Sequence, residues 1–103
     1  MRRMYDVTVL LSRHFRLTCM GFDPTADYDE AITFKVSAST EDQALDVAFA
    51  VCNSHPEELH CDERYADDVR FYRNSGNRSL SVGDCVKVNG RLFSCEPMGW
   101  KER

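Results

Sequence analysis

Residues 77–100 read NRSLSVGDCVKVNGRLFSCEPMGW, and the middle of this stretch decides the fold. Two apolar-alternating segments, about Asp84–Val88 and Arg91–Glu96, flank the pair Asn89-Gly90. Asn-Gly between alternating strands predicts a two-residue β-hairpin, because both residues tolerate the positive φ that such a turn requires. The register follows: Val88 stands opposite Arg91, Val86 opposite Phe93 and Cys85 opposite Ser94. Val86, Val88, Phe93 and Cys95 then share the face expected to be buried. Cys85 and Cys95 point to opposite faces and cannot pair with each other.

Upstream, Tyr5, Val7, Val9 and Leu11 alternate with Asp6 and Thr8, a strand pattern over Tyr5–Leu11 with Leu10 as an apolar exception. Ile32, Phe34, Val36 and Ala38 repeat that pattern. Ser12–Met20 leaves two readings open: Phe15, Leu17 and Cys19 alternate with Arg16 and Thr18, as a continuation of the first strand or a partner to it. Gly21–Glu30 reads as an acidic loop. Thr40 with Gln43 three residues on fits a capping box, and Glu41-Asp42 suits the positive end of a helix dipole. Leu45, Ala48, Phe49 and Cys52 recur at helical spacing, widened by Ala44, Val47 and Val51. Asn53 and His55-Pro56 stop the pattern, so residues 40–53 form the main helix. Residues 56–78 are polar, with one or two helical turns expected where Tyr65, Val69 and Tyr72 recur. Ser75-Gly76-Asn77 reads as a turn.

This order predicts an α+β single domain over 1–103: a small antiparallel or mixed sheet of about four strands with one main helix packed on one face. Phe49 and Phe93 are both expected in the core, and truncating either to Ala is expected to abolish folding.

Composition narrows the function classes. At 103 residues, 43% apolar and 29% charged, the chain is globular in character rather than a disordered tail. A net charge of −4 opposes broad phosphate-backbone binding. No apolar run approaches the ~20 residues of a membrane helix, so no membrane contact and a cytoplasmic location are expected. The odd count of five cysteines, without a C-x-x-C pair, reads as small buried hydrophobes in a reducing compartment.

Four constellations could carry chemistry. Cys52, His55, His60 and Cys61 are a metal-like cluster with zinc-type donors, although the C-x2-H-x4-H-C spacing matches no common zinc framework. The ordinary reading is a buried Cys52 with exposed loop histidines. Cys61 with His60 or His14 could supply a thiol and its base, but no third orienting group is indicated. No catalytic motif is found, and no cofactor is expected.

Arg70, Phe71, Tyr72, Arg73 and Arg78 could form a nucleic-acid platform, with rings stacking bases and arginines on phosphates. The competing reading docks Phe71 and Tyr72 on the core and pairs the arginines with nearby acids. Ser79–Asp84 reads mechanically as a turn with Gly83 at unusual angles. Its competing reading, with Arg78, Ser79, Ser81, Asp84 and Trp100, is a candidate interface. Trp100 is either a lid on the core or an interface anchor.

The segments Asn77–Asp84, Val88-Asn89-Gly90 and Gly99-Trp100 together resemble the RSLSVGD…DG…GW ending of YodL-like small proteins. These are uncharacterised proteins of actinobacteria, phages and mobile elements. The likeness covers about residues 31–100, including the helix VSASTEDQALDVAFAVCN, and departs at Ser12–Glu30 and in the cysteines. It implies no established activity, cofactor or catalytic residue. The expectation is therefore a non-enzymatic interaction module, plausibly an accessory protein of a phage or mobile element, whose partner is another protein. The acidic stretches Asp23–Glu30 and Glu57–Asp68 would suit a basic one. A nucleic-acid-binding regulator is the alternative, a zinc-binding protein the second. Homodimerisation through open sheet edges is a further expectation.

Overall fold

A computed structural model describes residues 1–14 and 21–103. The alternation at Phe15, Leu17 and Cys19 lies outside the described residues. Five strands form one antiparallel sheet: β1 (Arg3–Ser12), β2 (Tyr28–Ala38), β3 (Cys85–Val88), β4 (Arg91–Glu96) and β5 (Gly99–Glu102), in spatial order β2-β1-β3-β4-β5. Helix α1 (Glu41–Cys52) follows β2, and a 3-10 turn (Glu63–Tyr65) leads into α2 (Ala66–Asn74). Among the described residues, the expectation of about four strands and one main helix is corrected to five strands and two α-helices. Pro97-Met98 reverses the chain between the paired residues Glu96 and Gly99. The four-residue β5 that results is too short to show period-two patterning.

The hairpin register is the one expected, Val88↔Arg91 through Cys85↔Ser94. Asn89 has φ +49 and Gly90 φ +84, as a primed turn demands. Asn89 also ties the turn to β1: its side-chain oxygen accepts from the Asp6 N–H at 2.8 Å and its own N–H donates to the Asp6 carbonyl at 2.9 Å. Asn89→Ala loses that acceptor and strains a left-handed position, so thermal denaturation should show a loss of about 1–2 kcal/mol. An unchanged midpoint would contradict this role.

β2 begins at Tyr28, so residues 28–30, expected as loop, are strand. They pair with Leu10, Leu11 and Ser12 beyond an irregularity between Val9 and Leu10 that leaves Ala31 as the extra residue. β2 is a long edge strand, and it is guarded near its C-terminal end. The Ser37 N–H donates to the Tyr65 hydroxyl, and the Ser37 carbonyl accepts from Arg2. Such coverage discourages strand addition.

Tyr5, Val7, Val9, Ile32, Phe34, Val36, Val86, Val88 and Phe93 line the sheet face that packs against Ala44, Leu45, Ala48, Val51 and Cys52 of α1. Tyr65, Val69 and Tyr72 point inward, as their spacing predicts. Phe49 does not: it is 41% exposed. Ala44 and Ala48 sit fully buried at the centre of the contact, where small side chains let the helix approach the sheet closely. That rotation moves Phe49 to the flank, where it meets Trp100 edge-on with ring centroids 6.4 Å apart.

The α1 termini are closed. Thr40 accepts from the Gln43 N–H, while the Gln43 side chain reaches back one residue further than a capping box requires, to the Ser39 N–H. At the other end the last four carbonyls all find donors. Phe49 O takes the Asn53 amide, Ala50 O the Ser54 hydroxyl, Val51 O the Ser54 N–H and Cys52 O the Arg73 guanidinium. Arg73 supplies the positive charge that the last turn of α1 lacks.

Candidate functional site

The residues of the Arg78–Asp84 stretch converge inward. Asp84 is completely buried. Its Oδ1 accepts from the Ser12 N–H at 2.8 Å and from Arg78 Nη2 at 2.7 Å. Its Oδ2 accepts from Arg78 Nη1 at 2.6 Å and the Ser81 N–H at 2.8 Å. Four donors thus fill the four lone-pair directions of one carboxylate. Arg78 also donates to the Ser12 carbonyl, so the pair clamps the end of β1 to the loop before β3.

Gly83 has φ +94, a conformation that side-chain-bearing residues rarely adopt. Its N–H donates to the Cys95 carbonyl and its own carbonyl accepts from the Tyr28 hydroxyl. The Ser79 hydroxyl accepts from Arg73. Of the interface candidates, Arg78, Ser79 and Asp84 therefore spend their polar groups on a structural latch, and Ser81 contributes its backbone to the same latch.

The aromatic and basic residues proposed for nucleic acid do not form one surface. Tyr72 is buried and donates to the Arg78 carbonyl at 2.5 Å, and burial raises its phenol pKa. Arg73 is turned onto the carbonyls of Cys52, Ser54 and Asn77. Arg70 is exposed and pairs with Asp67. Phe71, expected to dock on the core, is 57% exposed. Helix geometry turns Arg70 and Phe71 outward and Tyr72 and Arg73 inward, and the fifth member, Arg78, is held on Asp84.

The zinc-type cluster does not assemble either. Cys52 is fully buried and its thiol pKa is pushed up to about 12 by burial, which opposes a metal-binding thiolate. Cys61 lies against the Ser54 hydroxyl at 3.9 Å, while His55 and His60 are exposed. Among the described residues no three His, Cys, Asp or Glu side chains are grouped to hold a metal ion. His14 stands 3.4 Å from Asp27.

Several carboxylates of the acidic loops are spent on local contacts. Asp23 accepts from Thr25, Asp29 pairs with Arg13, and Asp62 caps the 3-10 turn.

Trp100 has a different setting. In β5 it stands opposite Cys95, on the face that carries α1. There it walls a groove of about 240 Å³ with Phe49, Pro97 and Asp46, bordered by Cys95 and Glu96. Met98, at the adjoining turn, is 97% exposed. Burial pushes the Cys95 thiol at this border up to about 11. Asp46, Phe49 and Pro97 were missed as surface residues because the periodicity of α1 places Phe49 in the apolar stripe. Only the packing of β5 reveals where it goes.

Comparison with protein-family models, curated proteins and solved structures returns no match to this chain. No helix among the described residues is long and apolar enough to cross a membrane.

Proposed function

We propose that this chain is a small non-enzymatic protein-interaction module whose contact surface is the groove between Phe49 and Trp100. The carrying observation is the half-exposed Phe49, held edge-on to Trp100 beside Pro97 and an exposed Met98. Aromatic residues with methionine are enriched at protein interfaces, and tryptophan among their energetic centres. The edges of the sheet favour engagement through side chains over strand addition: β2 is guarded at Ser37, and β5 is only four residues long. The likeness of residues 77–84 to YodL-like small proteins supports, within the same proposal, an accessory role encoded by a phage or mobile element in the cytoplasm.

The test compares wild-type protein with Phe49→Ser and Met98→Ser as immobilised baits in lysate. Met98 is 97% exposed, so Met98→Ser should keep the wild-type melting temperature, and Phe49→Ser should stay folded with a loss of only about 0.5–1.5 kcal/mol. A specific protein retained by wild type and lost from the variants is the expected result. Equal retention by all three, or clear low-salt binding of oligonucleotides by fluorescence polarisation, would overturn the reading.

A further inference from the structure

The groove has a charge pattern that defines its occupant further. Asp46 lies on its rim, one helical turn before Phe49, and Asp42 lies one turn before Asp46. No ion pair among the described residues takes up either carboxylate. Their neighbour Glu41, in contrast, is held by both oxygens on Arg91 at 2.7 Å. The other acidic residue at the groove, Glu96, has its carboxylate engaged by the Ser94 hydroxyl and by Arg103. The rim therefore presents Asp46 beside two aromatic rings set at 84° to each other.

A ring face attracts a cation through its quadrupole, with tryptophan the strongest partner. A carboxylate beside it adds a charge-assisted hydrogen bond. A volume of about 240 Å³ falls below the ~300–1,000 Å³ usual for small-molecule sites and suits a single long side chain. Guanidinium is planar and weakly hydrated, stacks on aromatic rings and can use both oxygens of a carboxylate. Ammonium is compact and more strongly hydrated. The chain's net charge of −4 favours approach of a cationic partner.

We infer that the groove receives an arginine side chain of the partner protein, lying against Phe49 and Trp100 with its guanidinium on Asp46. This inference rests on the groove being a protein contact surface, and its test is separate from the lysate comparison. Trp100 is the only tryptophan in the chain, so its fluorescence reports the groove alone.

The probes are capped Gly-Arg-Gly, its neutral isostere Gly-citrulline-Gly, and Gly-Leu-Gly, each titrated into the full chain. The arginine peptide should change Trp100 emission saturably, with a Kd on the order of millimolar. That affinity should weaken with added salt. The citrulline peptide should bind about tenfold more weakly, and Asp46→Asn should remove about the same factor from the arginine peptide without moving the melting temperature. Equal binding of arginine and citrulline, or no saturable response to the arginine peptide at roughly ten times that concentration, overturns the inference. A preference for leucine also overturns it while leaving the groove as an apolar contact surface. Loss of discrimination between wild type and Phe49→Ser in lysate instead removes the underlying reading.

Discussion

Asp84→Ala should lower the unfolding free energy by about 3–5 kcal/mol, as breaking a buried ion pair does when one partner is left behind. The change strips four hydrogen bonds at once. It leaves the Ser12 and Ser81 N–H groups without their side-chain acceptor and takes the counter-charge from the Arg78 guanidinium. Small domains hold only about 5–15 kcal/mol in total, so the loss is a large fraction of the stability. Urea unfolding followed by circular dichroism measures the loss.

Arg78→Met should cost a similar amount, because the fully buried Asp84 carboxylate keeps two backbone donors but loses its counter-charge. The double substitution should be less destabilised than the sum of the single ones, since neither partner is then orphaned. A wild-type midpoint for Asp84→Ala would show that the latch contributes nothing to stability.

Phe93→Ala should cost a similar ~3–5 kcal/mol, the usual consequence of emptying an aromatic site in a core. Phe93 is 7% exposed and stands opposite Val86 in the sheet. Phe49→Ala, one of two truncations expected from sequence to abolish folding, should cost about 0.5–1.5 kcal/mol. That range covers an edge-to-face contact and partial burial. The contrast between the two positions is the sharper test: equal and severe losses would return Phe49 to the core and remove the exposed aromatic surface. Trp100 emission should shift in Phe49→Ala even where the melting curve scarcely moves, because the rings touch.

These two positions mark how far local pattern carries. Phe93 was legible because period two admits only two faces, and Val86, Val88 and Cys95 choose between them. Phe49 was misread because a helical stripe is broad. Residues 44, 45, 48, 51 and 52 make a buried set as regular as one containing 49. Whether the helix rolls toward Ala44 or toward Phe49 depends on the sheet it meets. The nucleic-acid set is split for a related reason: four of its residues adjoin in sequence, while a helix sends adjacent side chains in different directions. The metal set failed because Cys52 belongs to the same buried helix face that its spacing also predicts.

Local chemistry determined the elements and much of their pairing. The Asn89-Gly90 turn dictates a primed hairpin by its backbone angles, Thr40 and Gln43 start α1, and alternation assigns the inward face of β1 and β2. Tertiary structure decided what those elements do together. A fifth strand of four residues has no periodic signal of its own and exists because Pro97-Met98 folds it back onto β4. The Arg78–Asp84 pair acquires its role only when Ser12, 72 residues from Asp84, arrives to share the carboxylate. Trp100 becomes surface or core according to the roll of α1. Contacts between distant segments are set by packing, which optimises all the faces at once, and no short window of sequence contains them.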